Sequence, residues 1–178
     1  PIAPLLANMV LDGMEDLLGW KFGSRKMDGH SSRANKTPTV LVRYADDFVI
    51  IGRTKEFLEE QVKPLITEFL KMRGLELSEE KTKITHVSEG LNFLGQHVRR
   101  YRFGKQNSRL LTRPSKENVK TFLDKIRAII KEMCSATQEN VIDTLNPKIR
   151  GWAAYHRSAA SKRTFGKVEN TIWRSLWN

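Results

Sequence analysis

One cysteine, Cys134, is all this chain contains, which excludes an internal disulfide and fits a reducing compartment. Long apolar runs are also missing: none approaches the roughly 18 residues that would suggest a membrane span. The opening, PIAPLLAN, has no initiator Met and no basic stretch leading into an apolar core and cleavage site. No signal peptide is read there, and the chain looks like a piece of something longer. No His/Cys grouping has zinc-site spacing, and there is no internal repeat or low-complexity tract. What remains is an ordinary globular composition. The 178 residues are 39% hydrophobic and 29% charged, enough for one or two domains with a real core.

Acidic residues become scarce only in the second half. The net charge is +11. Residues 1–96 hold 13 Lys/Arg against 14 Asp/Glu, whereas residues 97–178 hold 18 against 6. A field of one sign over about 80 residues points to a polyanionic partner. A basic solvated surface is the plainer alternative.

Periodicity organises the chain. PLLANMVLDGMEDLLGW predicts a helix, with Leu6, Met9, Val10, Met14, Leu17 and Leu18 at helical spacing. Residues 23–38 are polar and rich in Gly and Ser, and read as a mobile loop. Two apolar runs, LVRY and FVII, read as strands of a hairpin. A second helix starts at the cap candidate Thr54, ends at Gly74, and should be kinked or split by Pro64. LELSEEKTKITHV reads as a turn and a strand. LNFLGQHVRRYRF reads as a strand, paired with RLLTR through GKQNS. After Pro114 the texture becomes helical. Ser115 caps a helix with Val119, Phe122, Leu123, Ile126, Ile129, Ile130 and Met133 on its apolar face. Thr137 caps the next, which Pro147 should divide, with Asn146 capping the second part. A last helix covers roughly residues 164–177. The fold class is therefore α+β followed by an all-α bundle, in two domains, 1–112 and 113–178.

The chemistry centres on VRYADDFVIIG, residues 42–52. Asp46 and Asp47 sit between two strands with room for little more than a turn. Asp is a common turn residue, and a surface turn explains the pair most simply. Two carboxylates on a rigid turn also suit divalent ions, because Mg²⁺ takes one or two carboxylates together with waters and phosphate oxygens. A pair of such ions roughly 4 Å apart activates an attacking hydroxyl and stabilises a leaving pyrophosphate.

YADD between apolar strands resembles the catalytic turn of reverse transcriptases. The segments around it keep that family's order. PIAPLLANMVLDGME resembles the palm helix that follows the family's Pro-Gln-Gly stretch, LELSEEKTKI the later palm motif with its Lys-Thr pair, and LNFLG the primer-grip turn. LNPKIRGWAAYHR, residues 145–157, resembles the thumb, or maturase-specific, segment of group II intron-encoded proteins. The matches run in order along nearly the whole chain.

The resemblance implies a partial reverse-transcriptase palm over 1–112 and a helical thumb over 113–178. It implies Asp46 as the main metal ligand and Asp47 as its weaker partner, with two Mg²⁺ ions. Tyr44 and Ala45 would lie near the primer end and the incoming dNTP. Lys81 would protonate the leaving pyrophosphate; a solvated lysine beside Glu79 and Glu80 is the alternative. Phe93, Leu94 and Gly95 would grip the primer, although Phe93 reads equally well as plain core. The family's first catalytic carboxylate has no counterpart on a suitable strand here, since Asp12 and Asp16 fall on a helix and Asp28 in a loop. The expectation is that this polypeptide alone does not polymerise DNA and works with a preceding fingers and palm segment.

The basic half supplies the nucleic-acid contacts. Arg99, Arg100, Arg102, Lys105, Arg109 and Arg113 crowd one hairpin. Lys148, Arg150, Trp152, Tyr155, His156, Arg157, Lys162, Arg163 and Lys167 follow on helices. Arginine forks suit phosphates, and aromatic rings pack on ribose or bases; bundle core is the alternative for Trp152 and Tyr155. His156 has no ligand-spaced partner for a metal. The expected function is an RNA-dependent DNA polymerase fragment that copies intron RNA and binds it to assist splicing. The alternatives are an RNA-binding maturase module without polymerase activity and a basic RNA-binding domain with a decayed palm. Expected partners are intron RNA, an RNA/DNA duplex and dNTP, with a homodimer possible, no membrane, and a location in a bacterial cytoplasm or an organelle.

Overall fold

Gly13 breaks the first helix that the spacing predicts as continuous. The chain runs α1 (Ala3–Val10), then a left-handed residue at Gly13 (φ 82°), then α2 (Met14–Phe22). Positive φ carries no steric cost for glycine, so the helix is interrupted there. The computed structural model describes residues 2–23, 39–104 and 107–177. The loop expected at 23–38 lies almost wholly outside the described residues, and so does the tip of GKQNS. The architecture is α+β, and its packing separates two units, Pro1–His86 and Val87–Asn178. The change to helical texture after Pro114 places the expected domain boundary at 112/113, whereas the packing division falls at His86/Val87.

In the first unit, strands β1 (Val40–Tyr44) and β2 (Asp47–Ile51) pair antiparallel, with Leu41 opposite Ile50, Arg43 opposite Phe48 and Tyr44 opposite Asp47. Side chains alternate, so Leu41, Arg43, Phe48 and Ile50 face inward. Their apolar members pack on a core of Leu11, Met14, Leu18, Phe22, Val62, Ile66, Phe69 and Leu70. Thr54 caps the next helix, its Oγ1 accepting the Phe57 N–H at 3.2 Å. That helix runs as α3 (Lys55–Phe57), a π turn (Leu58–Val62) and α4 (Lys63–Lys71). The wide turn sits just before Pro64, where an α-helix would lose a bond and clash with the ring. The kink expected from Pro64 takes this form. No strand forms over 82–86, although its sequence predicts one.

The second unit begins with a three-stranded antiparallel sheet, β3 (Leu91–Phe93), β4 (Gln96–Phe103) and β5 (Asn107–Pro114), in that order. LNFLGQHVRRYRF is therefore two strands, split at Leu94–Gly95. Three helices follow: α5 (Lys116–Glu132), α6 (Gln138–Tyr155) and α7 (Lys162–Trp177). Ser115 and Thr137 cap α5 and α6 as expected, accepting from Asn118 N and Asn140 N. Phe122, Leu123, Ile126, Leu145, Val168 and Ile172 form the bundle core. Pro147 does not divide α6. It removes one backbone bond, a cost of about 3 kcal/mol. Val141 and Leu145 before it, and Ile149 and Trp152 after it, all pack on the same core and hold the helix together.

Candidate functional site

The pairing of Tyr44 with Asp47 leaves Ala45 and Asp46 as a two-residue turn. Ala45 has φ 52°. Positive φ at the first central residue is the pattern of a type II′ turn, which matches the twist of the strands and normally takes Gly there. Alanine carries the smallest side chain that still pays for that backbone. Asp46 and Asp47 are exposed, and Tyr44 is 66% exposed. By register, Asp47 shares the outer face of the hairpin with Tyr44.

Arg43 ties this turn to the helices. Its side chain is 15% exposed and its Nη1 donates to Asn8 Oδ1 of α1 at 2.9 Å. Its Nε lies 3.7 Å from Glu15 Oε1 of α2, too far for a hydrogen bond, and is buried without a partner. The hairpin tip is thus held three residues before Asp46 by a half-inserted charge. Sequence reading passed over Arg43; the available signal was a charged residue inside an otherwise apolar strand, VLVRY.

Carboxylate oxygens are the donors that Mg²⁺ prefers. Asp46 and Asp47 fit part of such a site. Among the described residues no third His, Cys, Asp or Glu is gathered with them. Lys81 is exposed in the turn at 79–81, and no hydrogen bond or ion pair joins it to either aspartate.

In the second unit, Phe93 pairs with Gln96, so Leu94 and Gly95 form another two-residue turn. Both have positive φ, 49° and 72°, as in a type I′ hairpin. The helices engage both of its carbonyls. Tyr155 Oη donates to Leu94 O at 2.6 Å, and Ser115 N donates to Gly95 O at 2.9 Å. Phe93 is half-buried.

Asn118 stands beside this turn as a polar junction. Its Oδ1 accepts from Trp152 Nε1 at 2.8 Å and lies 3.0 Å from His156 Nε2. An indole N–H can only donate, so the shared atom is the amide oxygen, and His156 must carry its proton on Nε2. His156 Nδ1 is then a buried acceptor with no partner. Burial pushes the His156 pKa below its usual value, keeping the ring neutral.

This geometry corrects two expectations. His156 is 0% exposed, so its ring does not face a nucleic acid. Trp152 stacks on Phe122, with centroids 4.6 Å apart and planes at 10°, and meets Phe165 edge-on. It belongs to the bundle packing. Asn118 itself was missed; a polar residue four before Phe122, on the apolar stripe, was the available signal.

The cationic residues fall into sets. On β4–β5, Arg99, Tyr101, Arg109 and Arg113 share one face, and Arg100 and Arg102 the other. Arg113 and Arg99 lie over the Tyr101 ring at 4.5 and 5.4 Å, and Arg99 Nε donates to Ser88 O at 2.7 Å. Arg100 and Arg102 are exposed, as are Lys148, Arg150, Arg157, Lys162 and Arg163. Lys105 lies outside the described residues. Among the described residues, no helix is long and apolar enough to cross a membrane.

Comparison with known proteins agrees in both halves. Residues 1–98 match the family described as reverse transcriptase (RNA-dependent DNA polymerase), and residues 119–178 match the group II intron, maturase-specific domain. The chain is 36% identical over 143 residues to the group II intron-encoded protein LtrA of Lactococcus lactis subsp. cremoris. That match covers 75% of this chain and 22% of LtrA. It is 30% identical over 150 residues to protein YkfC of Escherichia coli (strain K12), covering 72% of this chain and 39% of YkfC. The matched region thus spans well under half the length of either relative.

Proposed function

This chain belongs to the group II intron reverse transcriptase/maturase family, and from that membership we propose that it forms part of an RNA-dependent DNA polymerase. In this reading residues 1–112 are the C-terminal part of the palm and 113–178 the thumb. The parent enzyme copies intron RNA and grips it to assist splicing. The observation that carries the reading is the pair of exposed carboxylates, Asp46 and Asp47, on a two-residue turn whose strand is anchored through Arg43.

Asp46 would be the main metal ligand and Asp47 the weaker one, together with a further carboxylate not found among the described residues. Two Mg²⁺ ions held there would supply charge stabilisation to the attacking and leaving oxygens. The primer 3′-hydroxyl gives its proton to solvent, its oxygen forms a bond to the α-phosphorus of the dNTP, and the bond from that phosphorus to the α,β-bridging oxygen breaks. The exposed Lys81 gives a proton to the departing pyrophosphate. Ala45 leaves room for a nucleic-acid backbone beside the turn, and Tyr44 borders the incoming nucleotide. Phe93, Leu94 and Gly95 contact the primer. Arg99, Arg100, Arg102, Lys105, Lys148, Arg150, Arg157, Lys162 and Arg163 neutralise phosphates. The test is primer extension on RNA by a longer protein containing this chain, with and without Asp46→Asn.

A second reading is a maturase module that binds RNA without polymerising, supported by the exposed cations Lys148, Arg150 and Arg157 in the maturase-specific region. In that case Asp46→Asn leaves splicing assistance intact, while charge reversal at Arg150 and Arg157 damages it.

A further inference from the structure

The Leu94–Gly95 turn is held more firmly than a hairpin of this size requires. Strand β3 has only three residues, so its own ladder is short. Leu94 carries positive φ with a branched side chain, a strained backbone that persists only where its surroundings over-determine it. Here they do. Tyr155 Oη and Ser115 N engage the two turn carbonyls. A Cβ at Gly95 would come within 2.7 Å of Asn118 Nδ2. Asn118 cannot give way easily, because Trp152 and His156 both donate to its oxygen. Its own N–H is bound by the Ser115 cap at 3.1 Å. The contacts come from the start of α5 and the end of α6, the helix that carries WAAYHR.

We propose that Tyr155 and Asn118 are positioning residues, which fix the Leu94–Gly95 turn in the backbone shape that meets a primer 3′ end. Much of the WAAYHR stretch, in this account, braces the primer contact instead of touching nucleic acid. Trp152 and His156 act through Asn118, and Tyr155 acts through the Leu94 carbonyl. The proposal rests on the reading of this turn as a primer contact.

The test compares the 178-residue chain with its Tyr155→Phe variant. That change removes one hydroxyl from a half-exposed side chain and leaves the ring in place. Two quantities are measured: amide hydrogen exchange at residues 94–96, and affinity for two RNA–DNA hybrids of equal length. One hybrid has a recessed DNA 3′ end; the other is a closed dumbbell with no 3′ end. Exchange at the turn should rise, and affinity for the recessed end should fall about threefold to tenfold, the loss of one neutral hydrogen bond. Affinity for the dumbbell should hold, and the melting temperature should fall by only about 2–4 °C, the stability carried by that same hydrogen bond. Asn118→Ala should give the same pattern with a larger loss of melting temperature.

Unchanged exchange in both variants overturns the positioning role. Faster exchange with neither affinity altered overturns the primer reading on which the proposal stands. Equal weakening toward both hybrids means that Tyr155 belongs to a general duplex-binding face, and also overturns the proposal.

Discussion

The indole of Trp152 lies flat on the ring of Phe122, with centroids 4.6 Å apart and planes inclined by 10°. The contact joins α6 to α5 five residues beyond Pro147. It is part of what keeps α6 in one piece, and it fixes the indole N–H on Asn118.

Trp152→Ala should therefore act on stability first. Removing a packed Trp costs about 3–5 kcal/mol, cavity included. Trp152→Phe keeps a ring on Phe122 but loses the donor, for about 1 kcal/mol. Denaturant unfolding of the chain measures both. A Trp152→Ala protein of unchanged stability but weakened RNA binding would return Trp152 to the nucleic-acid face.

His156 gives the chain a pH dependence of known sign. Burial lowers its pKa in the folded state. Above the ordinary histidine range both states are neutral and His156 contributes nothing to the pH dependence. As pH falls through about 6.5, the unfolded chain takes up a proton that the folded one refuses, so stability drops until the lowered folded value is reached. Unfolding free energies between pH 7.5 and pH 5 should decline, and His156→Gln should flatten that decline. An unaltered slope in the variant would assign the pH dependence elsewhere.

Ala45 stores strain at the tip of the first hairpin. A β-branched residue tolerates positive φ worse than alanine, so Ala45→Val should destabilise by about 1–2 kcal/mol. Ala45→Gly removes that penalty but widens the unfolded ensemble, which leaves stability within about 0.5 kcal/mol. A tolerated valine would show that the turn adopts another backbone shape.

The two faces of the β4–β5 ribbon should separate in a salt titration. Arg100→Ala and Arg102→Ala each remove an exposed charge, so each should weaken RNA binding across sequences and lower the salt slope by about one. Their stability should move by less than about 0.5 kcal/mol. Arg113→Ala also loses its place over Tyr101 and should cost about 1 kcal/mol. If Arg100→Ala leaves the salt slope untouched, that face is not the phosphate contact.

The legible parts of the sequence were those written in local patterns. Ser115 and Thr137 announce helix starts because their hydroxyls accept a backbone N–H three residues on. The turn is legible because two short apolar runs, LVRY and FVII, leave only Ala45 and the two aspartates between them. Local pattern misled where tertiary packing decides. Pro147 reads as a break, yet the core residues on both sides of it outweigh one lost hydrogen bond. Residues 82–86 read as a strand, but a strand needs a partner edge, and none of the described residues supplies one there. The Asn118 junction draws on residues 94–95, 115–118 and 152–156, and no local window contains such a contact.

The central claim is that Asp46 takes part directly in nucleotidyl transfer. The most direct measurement is extension of a DNA primer on an RNA template, with Mg²⁺ and dNTPs, by a longer protein containing this chain, set against its Asp46→Asn variant. The account predicts extension by the parent and its loss in the variant, with RNA affinity retained. Undiminished extension by Asp46→Asn would contradict it.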